Sequence, residues 1–173
     1  TSLGSGRRVS KSSPRIAVLG EIDEANSAIG LARLACAGDA EADAMLARIQ
    51  NDLFDLGADL SLPPGEERRP TVLRLSERQI ERLEAESAAM NAGLPELTSF
   101  VLPGVSAAAA NVHLARAITR RAERSIVALA ALEPVSPHIL AYINRLSDHL
   151  FILARRLNDG GKADVLWRPG EHR

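Results

Sequence analysis

Ser106–Leu132 reads SAAAANVHLARAITRRAERSIVALAAL. It contains neither glycine nor proline and is rich in alanine and leucine, strong helix formers, so it predicts one long helix. At about 100° per residue, Leu114, Ala115, Ile118, Ala122 and Leu129 fall on one side, and His113, Arg116, Arg120, Glu123 and Arg124 fall opposite. A helix with one apolar and one charged face lies on a core. The rest of the chain must supply that core.

Working outward, Ser136-Pro137 opens the next helix, because a proline at the first helical position has its φ preset and needs no N–H partner. Its buried stripe is Ile139, Ile143, Leu146, Leu150, Leu153 and Leu157; Asn144, Asp148 and Arg155 stand away from it. Upstream, Ser13-Pro14 starts a helix running to about Cys36, and a second spans about Glu41 to Leu60, stopping at Pro63-Pro64-Gly65. A polar loop follows to Thr71. The third helix opens at Ser76, where Gln79 completes a capping box, and ends near Asn91 and Gly93. Phe100-Val-Leu-Pro-Gly104 interrupts the pattern as an ordered loop bearing a bulky aromatic. Five helices with no strand alternation predict an all-α, single-domain, antiparallel bundle over 1–173: a loop at 1–12, the bundle at 13–158 and a tail at 159–173.

The bulk properties agree. The 173 residues are 46% hydrophobic but only 3% aromatic, and one cysteine, Cys36, excludes an internal disulfide and suits a reducing, cytoplasmic setting. No apolar run reaches the roughly 18 residues that span a bilayer, so no membrane is expected. A net charge of -1 argues against nucleic acid as a partner. No phosphate-binding glycine loop of the usual kinds is present, and Gly4-Ser-Gly6 alone carries little weight.

The unusual constellation is Arg116, Arg120 and Arg124 at four-residue spacing, with Arg121 beside them. Stacked guanidinium groups repel by a few tenths of a kcal/mol per pair unless anions intervene. They form either a solvated face neutralised by acids or a phosphate clamp, for which arginine offers matched forked donors. Spacing does not choose between these. Asp23 and Glu24 point about 100° apart on the first helix, which argues against a joint acid–base pair. His113 reads as a surface histidine, His149 as a packing one, and Trp167 as an anchor for the C-terminal tail.

Five segments together resemble the PduO-type ATP:cob(I)alamin adenosyltransferases: Gly20–Gly30, Gln50–Gly57, Phe100–Gly104, His113–Arg124 and Asn144–Asp148. The resemblance implies a homotrimer with sites between subunits, transferring the 5′-deoxyadenosyl group of ATP to Co(I) of cob(I)alamin, with Mg²⁺ held by the ATP phosphates. It also implies that Thr1, Ser2, Lys11, Arg120, Arg121, Glu123, Arg124 and Asn144 surround ATP. Arg116 would lie in the site and pair with Asp23 of an adjacent subunit, and Phe100 would lie under the corrin ring. An electron donor and an adenosylcobalamin-dependent acceptor enzyme are the partners this chemistry implies; a non-catalytic cobalamin carrier of the same fold is the alternative. Two departures stand out. The family's Thr-Gly-Asp-x-Gly loop would precede Thr1, so 1–12 reads as a truncated nucleotide loop. Val105 also stands where the family usually has glycine, and its Cβ would narrow the corrin space or restrict the loop.

Overall fold

The computed structural model describes residues 1–65 and 72–173; residues 66–71 of the expected polar loop lie outside the described residues. Five helices follow in order: α1 (Pro14–Ala35), α2 (Ala40–Leu60), α3 (Glu77–Asn91), α4 (Ala107–Ala130) and α5 (Pro137–Arg156). Among the described residues there is no strand, only two isolated bridges, Ser2 with Arg8 and Val101 with Leu166.

The ends of the helices are chemically explicit. Proline occupies the first turn of α1 and α5. Asp39 caps α2 by accepting from Ala42 N at 2.9 Å, which starts that helix one residue before the expected Glu41. Gln79 closes the capping box of α3 by accepting from Ser76 N at 2.9 Å, and Ser106 Oγ accepts from Ala109 N at 3.0 Å to cap α4. Each cap satisfies a backbone donor that the first turn would otherwise orphan.

Cross-helix bonds give the topology. Arg15 of α1 reaches Glu133 just past α4, and Glu24 reaches Arg121, so α1 and α4 run antiparallel. Glu123 meets Asn144, and Ser106 meets Leu157, so α4 and α5 do too. Glu84 with Arg145 and Glu86 with His149 show α3 and α5 running parallel; consecutive helices alternate in direction, but this neighbouring pair does not. The α1–α4 and α4–α5 contacts are the most extensive. Small buried residues, Ala25, Ala28 and Ala32 on α1 and Ala115 and Ala122 on α4, let these axes approach closely. The stripe expected on α5 is buried from Ile139 to Leu153, with Leu157 partly so.

Three side chains sit elsewhere than the sequence suggested. His113 is 2% exposed and Leu114 51%, the reverse of the expected faces. α4 is buried on two sides, by α1 and by α5, and the α5 side takes in His113 against Phe151, at 6.2 Å between ring centroids. Arg155 is buried rather than clear of the core, because Asp164 from the tail neutralises it at 2.7 Å. His149 is fully buried, as a packing histidine should be.

Candidate active site

α4 presents the arginine row, and the partners of each arginine decide its use. Arg121 turns to α1 and pairs with Glu24; the bond and charge of that carboxylate raise its pKa. Arg124 donates from Nη1 to the Arg120 carbonyl at 3.0 Å, spending one donor on its own helix. Arg116 and Arg120 have no carboxylate partner among the described residues. Arg116 is half-buried with its Nε unpaired, its guanidinium 5.8 Å from the centre of the Phe151 ring. Burial first, and then the Arg120 charge, push its pKa below the ordinary guanidinium value. Leaving such a donor unsatisfied costs about 1–3 kcal/mol, a cost that an arriving anion removes.

Facing the row from α5, Asn144 donates to Glu123 Oε1 at 2.8 Å, while its own carbonyl accepts from Arg145 Nη1 at 3.2 Å. The amide is thus oriented before any ligand arrives. His113 lies behind Arg116 with both ring nitrogens unpartnered. Burial first and the Arg116 charge second lower its pKa, opposed by Asp164.

Phe100 stands on the loop before α4 and is 77% exposed, so it does not fill the core. Its one ring neighbour is Trp167, tilted at 6.0 Å. Trp167 N donates to the Phe100 carbonyl at 2.8 Å, so Trp167 does anchor the tail, and it does so on this loop.

The structure brings Arg120, Glu123, Arg124 and Asn144 onto one surface of α4 and α5. Asp23 and the expected N-terminal residues are not joined to it. Asp23 is exposed on α1 and lines a groove of about 360 Å³ with Leu19 and Phe54. The N-terminal segment folds on itself, Thr1 N to the Val9 carbonyl and Leu3 N to that of Arg7, and ties to Ser61 through Gly4 N at 2.9 Å. No hydrogen bond or ion pair links Thr1, Ser2, Lys11 or Asp23 to Arg116 or Arg120 among the described residues. Phe151 is the neighbour that sequence reasoning missed. It follows Asn144 by seven residues, two helical turns on the same face, and that spacing was the available signal.

Among the described residues, then, the helical bundle leaves Arg116 and Arg120 without a carboxylate and holds Phe100 exposed on the loop before α4. Residues 1–157 match the family model described as cobalamin adenosyltransferase. The corrinoid adenosyltransferase of Mycobacterium tuberculosis (strain H37Rv) is 48% identical over 175 residues, spanning 100% of this chain and 90% of that protein. That of Bacillus subtilis is 44% identical over 156 residues, spanning 88% and 79%. Among solved structures, a variant PduO-type ATP:corrinoid adenosyltransferase from Lactobacillus reuteri, complexed with cobalamin and ATP, superposes with a TM-score of 0.89 at 35% identity, covering 97% of this chain and 93% of that one. The chain belongs to the cobalamin adenosyltransferase family, transferases that use ATP to adenosylate cobalamin.

Proposed function

We propose that the cobalt(I) lone pair of cob(I)alamin attacks C5′ of ATP in line, that the C5′–O5′ bond breaks, and that triphosphate leaves with the electron pair. The observation carrying this reading is the pair of arginines, Arg116 and Arg120, that find no carboxylate among the described residues. Preorganised cations where charge develops lower a barrier that bulk water would have to reorganise to meet. Cob(I)alamin is already a strong nucleophile, so no general base is needed. Arg120 and Arg124 clamp phosphate oxygens, Arg116 faces the reacting end, and Arg121 and Glu123 hold the neighbouring surface. Asn144 fixes the nucleotide so that cobalt and C5′ meet at near-attack distance.

Thr1, Ser2 and Lys11 contact ATP bound to the arginines of a neighbouring subunit in a homotrimer, and Asp23 pairs with that subunit's Arg116. The chain supports this assembly in two ways. These residues find no partner in their own arginine row, and Leu31 and Leu114 lie exposed at one level of the α1–α4 pair, next to Leu34. Mg²⁺ bound to the triphosphate would add charge neutralisation. Among the described residues no helix is long and apolar enough to cross a membrane, and a cytoplasmic setting is part of this proposal.

Phe100 acts before adenosyl transfer. An apolar ring under the corrin excludes the nucleotide base and water while offering no donor atom, which makes the one-electron reduction of cobalt(II) to cobalt(I) easier. With Phe100→Ala, ATP binding stays within about twofold, and turnover from cob(II)alamin falls sharply. Equal losses in both would remove Phe100 from this role. For the unsubstituted chain, ATP and prereduced cob(I)alamin should give adenosylcobalamin by absorbance; binding without conversion would leave a carrier.

A further inference from the structure

The Phe100 loop is not held by apolar packing, since Leu97, Phe100, Leu102 and Val105 are all exposed. A knot of polar groups at the end of α5 holds it. Arg155 donates from Nε to Asp164 Oδ2 at 2.7 Å and from Nη2 to the Pro95 carbonyl at 2.7 Å. Asn158 Nδ2 donates to Asp164 Oδ1 at 3.1 Å and to the Gly104 carbonyl at 3.3 Å. One ion pair, its two side chains 5% and 4% exposed, thereby reaches both feet of the loop.

From Asp164 the tail runs up behind the crest. Leu102 N donates to the Val165 carbonyl at 2.8 Å, and Ser99 Oγ donates to that of Trp167 at 2.7 Å. Gly161, at φ +80°, completes the knot: a Cβ there would lie 3.0 Å from Pro95 Cδ and 3.2 Å from Arg155 Nη2. The left-handed backbone favours glycine at that point, and a side chain would press on both neighbours.

We propose that Arg155 and Asp164 are positioning residues for adenosyl transfer, a buried pair that fixes both feet of the Phe100 loop and the segment behind it, and so sets where the ring stands. The proposal rests on the assignment of Phe100 to the underside of the corrin. A buried ion pair adds little net stability, but a severed one leaves a charge unpaired, so the loop is held to one geometry.

The test uses Asp164→Asn, which keeps the shape and removes the charge. With reduced flavin as the one-electron donor, turnover from cob(II)alamin should fall about tenfold. The EPR signal of cob(II)alamin freed of its lower ligand in the presence of ATP should fall with it. The KM for ATP and turnover of prereduced cob(I)alamin should change less than about twofold. In a Phe100→Ala background the substitution should add no further loss, because the pair acts through that ring. Equal losses on every readout, or additive losses in the double variant, overturn the proposal. No effect of Phe100→Ala alone refutes the underlying assignment. An effect of Phe100→Ala but none of Asp164→Asn refutes only the positioning role. If Asp164→Asn fails to fold, Ser99→Ala cuts only the exposed tie to Trp167; it should cost about threefold from cob(II)alamin alone, and no change refutes the proposal.

Discussion

Arg15 is buried and Arg116 half-buried, yet their guanidinium groups are treated in opposite ways. Arg15 is saturated: Nε donates to Glu133 at 3.0 Å, Nη1 to the Leu60 carbonyl at 2.8 Å and Nη2 to the Pro134 carbonyl at 3.1 Å. Arg155 and Arg82 are likewise matched to Asp164 and Asp52. Arg116 keeps an unpaired Nε, and its neighbour Arg120 meets no acid among the described residues. Folding alone would favour matching a guanidinium that it buries, so an unmatched Arg116, with the like-charged Arg120 one turn on, marks donors kept for something else. Substitutions in the two groups should therefore fail differently, one in stability and the other in catalysis.

The largest effect belongs to the matched group. Asp52 accepts from Tyr142 Oη at 2.9 Å and Gln79 Nε2 at 3.0 Å as well as from Arg82, joining α2, α3 and α5. Asp52→Ala strands the buried Tyr142 hydroxyl and unpairs Arg82, while Gln79 keeps Asp55, and should cost about 3 kcal/mol, the low end for a buried pair because Arg82 is partly hydrated. Thermal denaturation should show the midpoint falling by about 6–12 °C, with kcat of the folded enzyme unchanged. A change in kcat at constant stability would break the division.

Arg120→Ala should do the reverse. Loss of a charged contact to triphosphate should lower kcat/KM for ATP about 100-fold, near 2.7 kcal/mol. The melting midpoint should hold or rise slightly, since Arg116 loses a like-charged neighbour. Unchanged kcat and KM would take Arg120 out of the site. A smaller effect is expected at the foot of the Phe100 loop, where Val105 has φ +76°. A β-branched residue there is strained by about 1–3 kcal/mol, partly offset by the flexibility that glycine would bring. Val105→Gly should stabilise by about 1 kcal/mol, read as a midpoint 2–4 °C higher, and a lower midpoint would show that the strain is absent.

The helices were legible because their ends are written in side chains: Ser13-Pro14, the Ser76–Gln79 box, Ser106 and Ser136-Pro137 all cap or open helices where expected. The arginine row was legible as a pattern but ambiguous as chemistry, because only coordinates show that Glu24 takes Arg121 and spares Arg120. Sidedness on α4 was misread for a geometric reason: a helix packed on two neighbours buries two arcs, and a single apolar stripe cannot describe it. The buried role of Arg155 depends on Asp164, which lies beyond the end of α5. A charge nine residues away across a turn leaves no periodic trace.

His113 sharpens the comparison because it is a third unmatched group, one whose charge can vary. It lies among Arg116 on its own helix, Phe151 of α5 and Asp164 of the tail, with both nitrogens unpartnered. Burial and Arg116 hold its pKa below the ordinary 6.5, so the folded protein keeps it neutral where the unfolded chain would protonate it. As pH falls below 6.5 toward the lower folded value, the unfolded state binds more protons and stability declines. His113→Leu removes that linkage and replaces two orphaned polar atoms with a side chain of similar volume. At pH 7 its stability should match the parent's within about 1 kcal/mol. Between pH 7 and pH 5 its midpoint should fall less steeply than the parent's. Parallel slopes would mean that His113 binds its proton equally in the folded and unfolded states, and its burial beside Arg116 would then not hold.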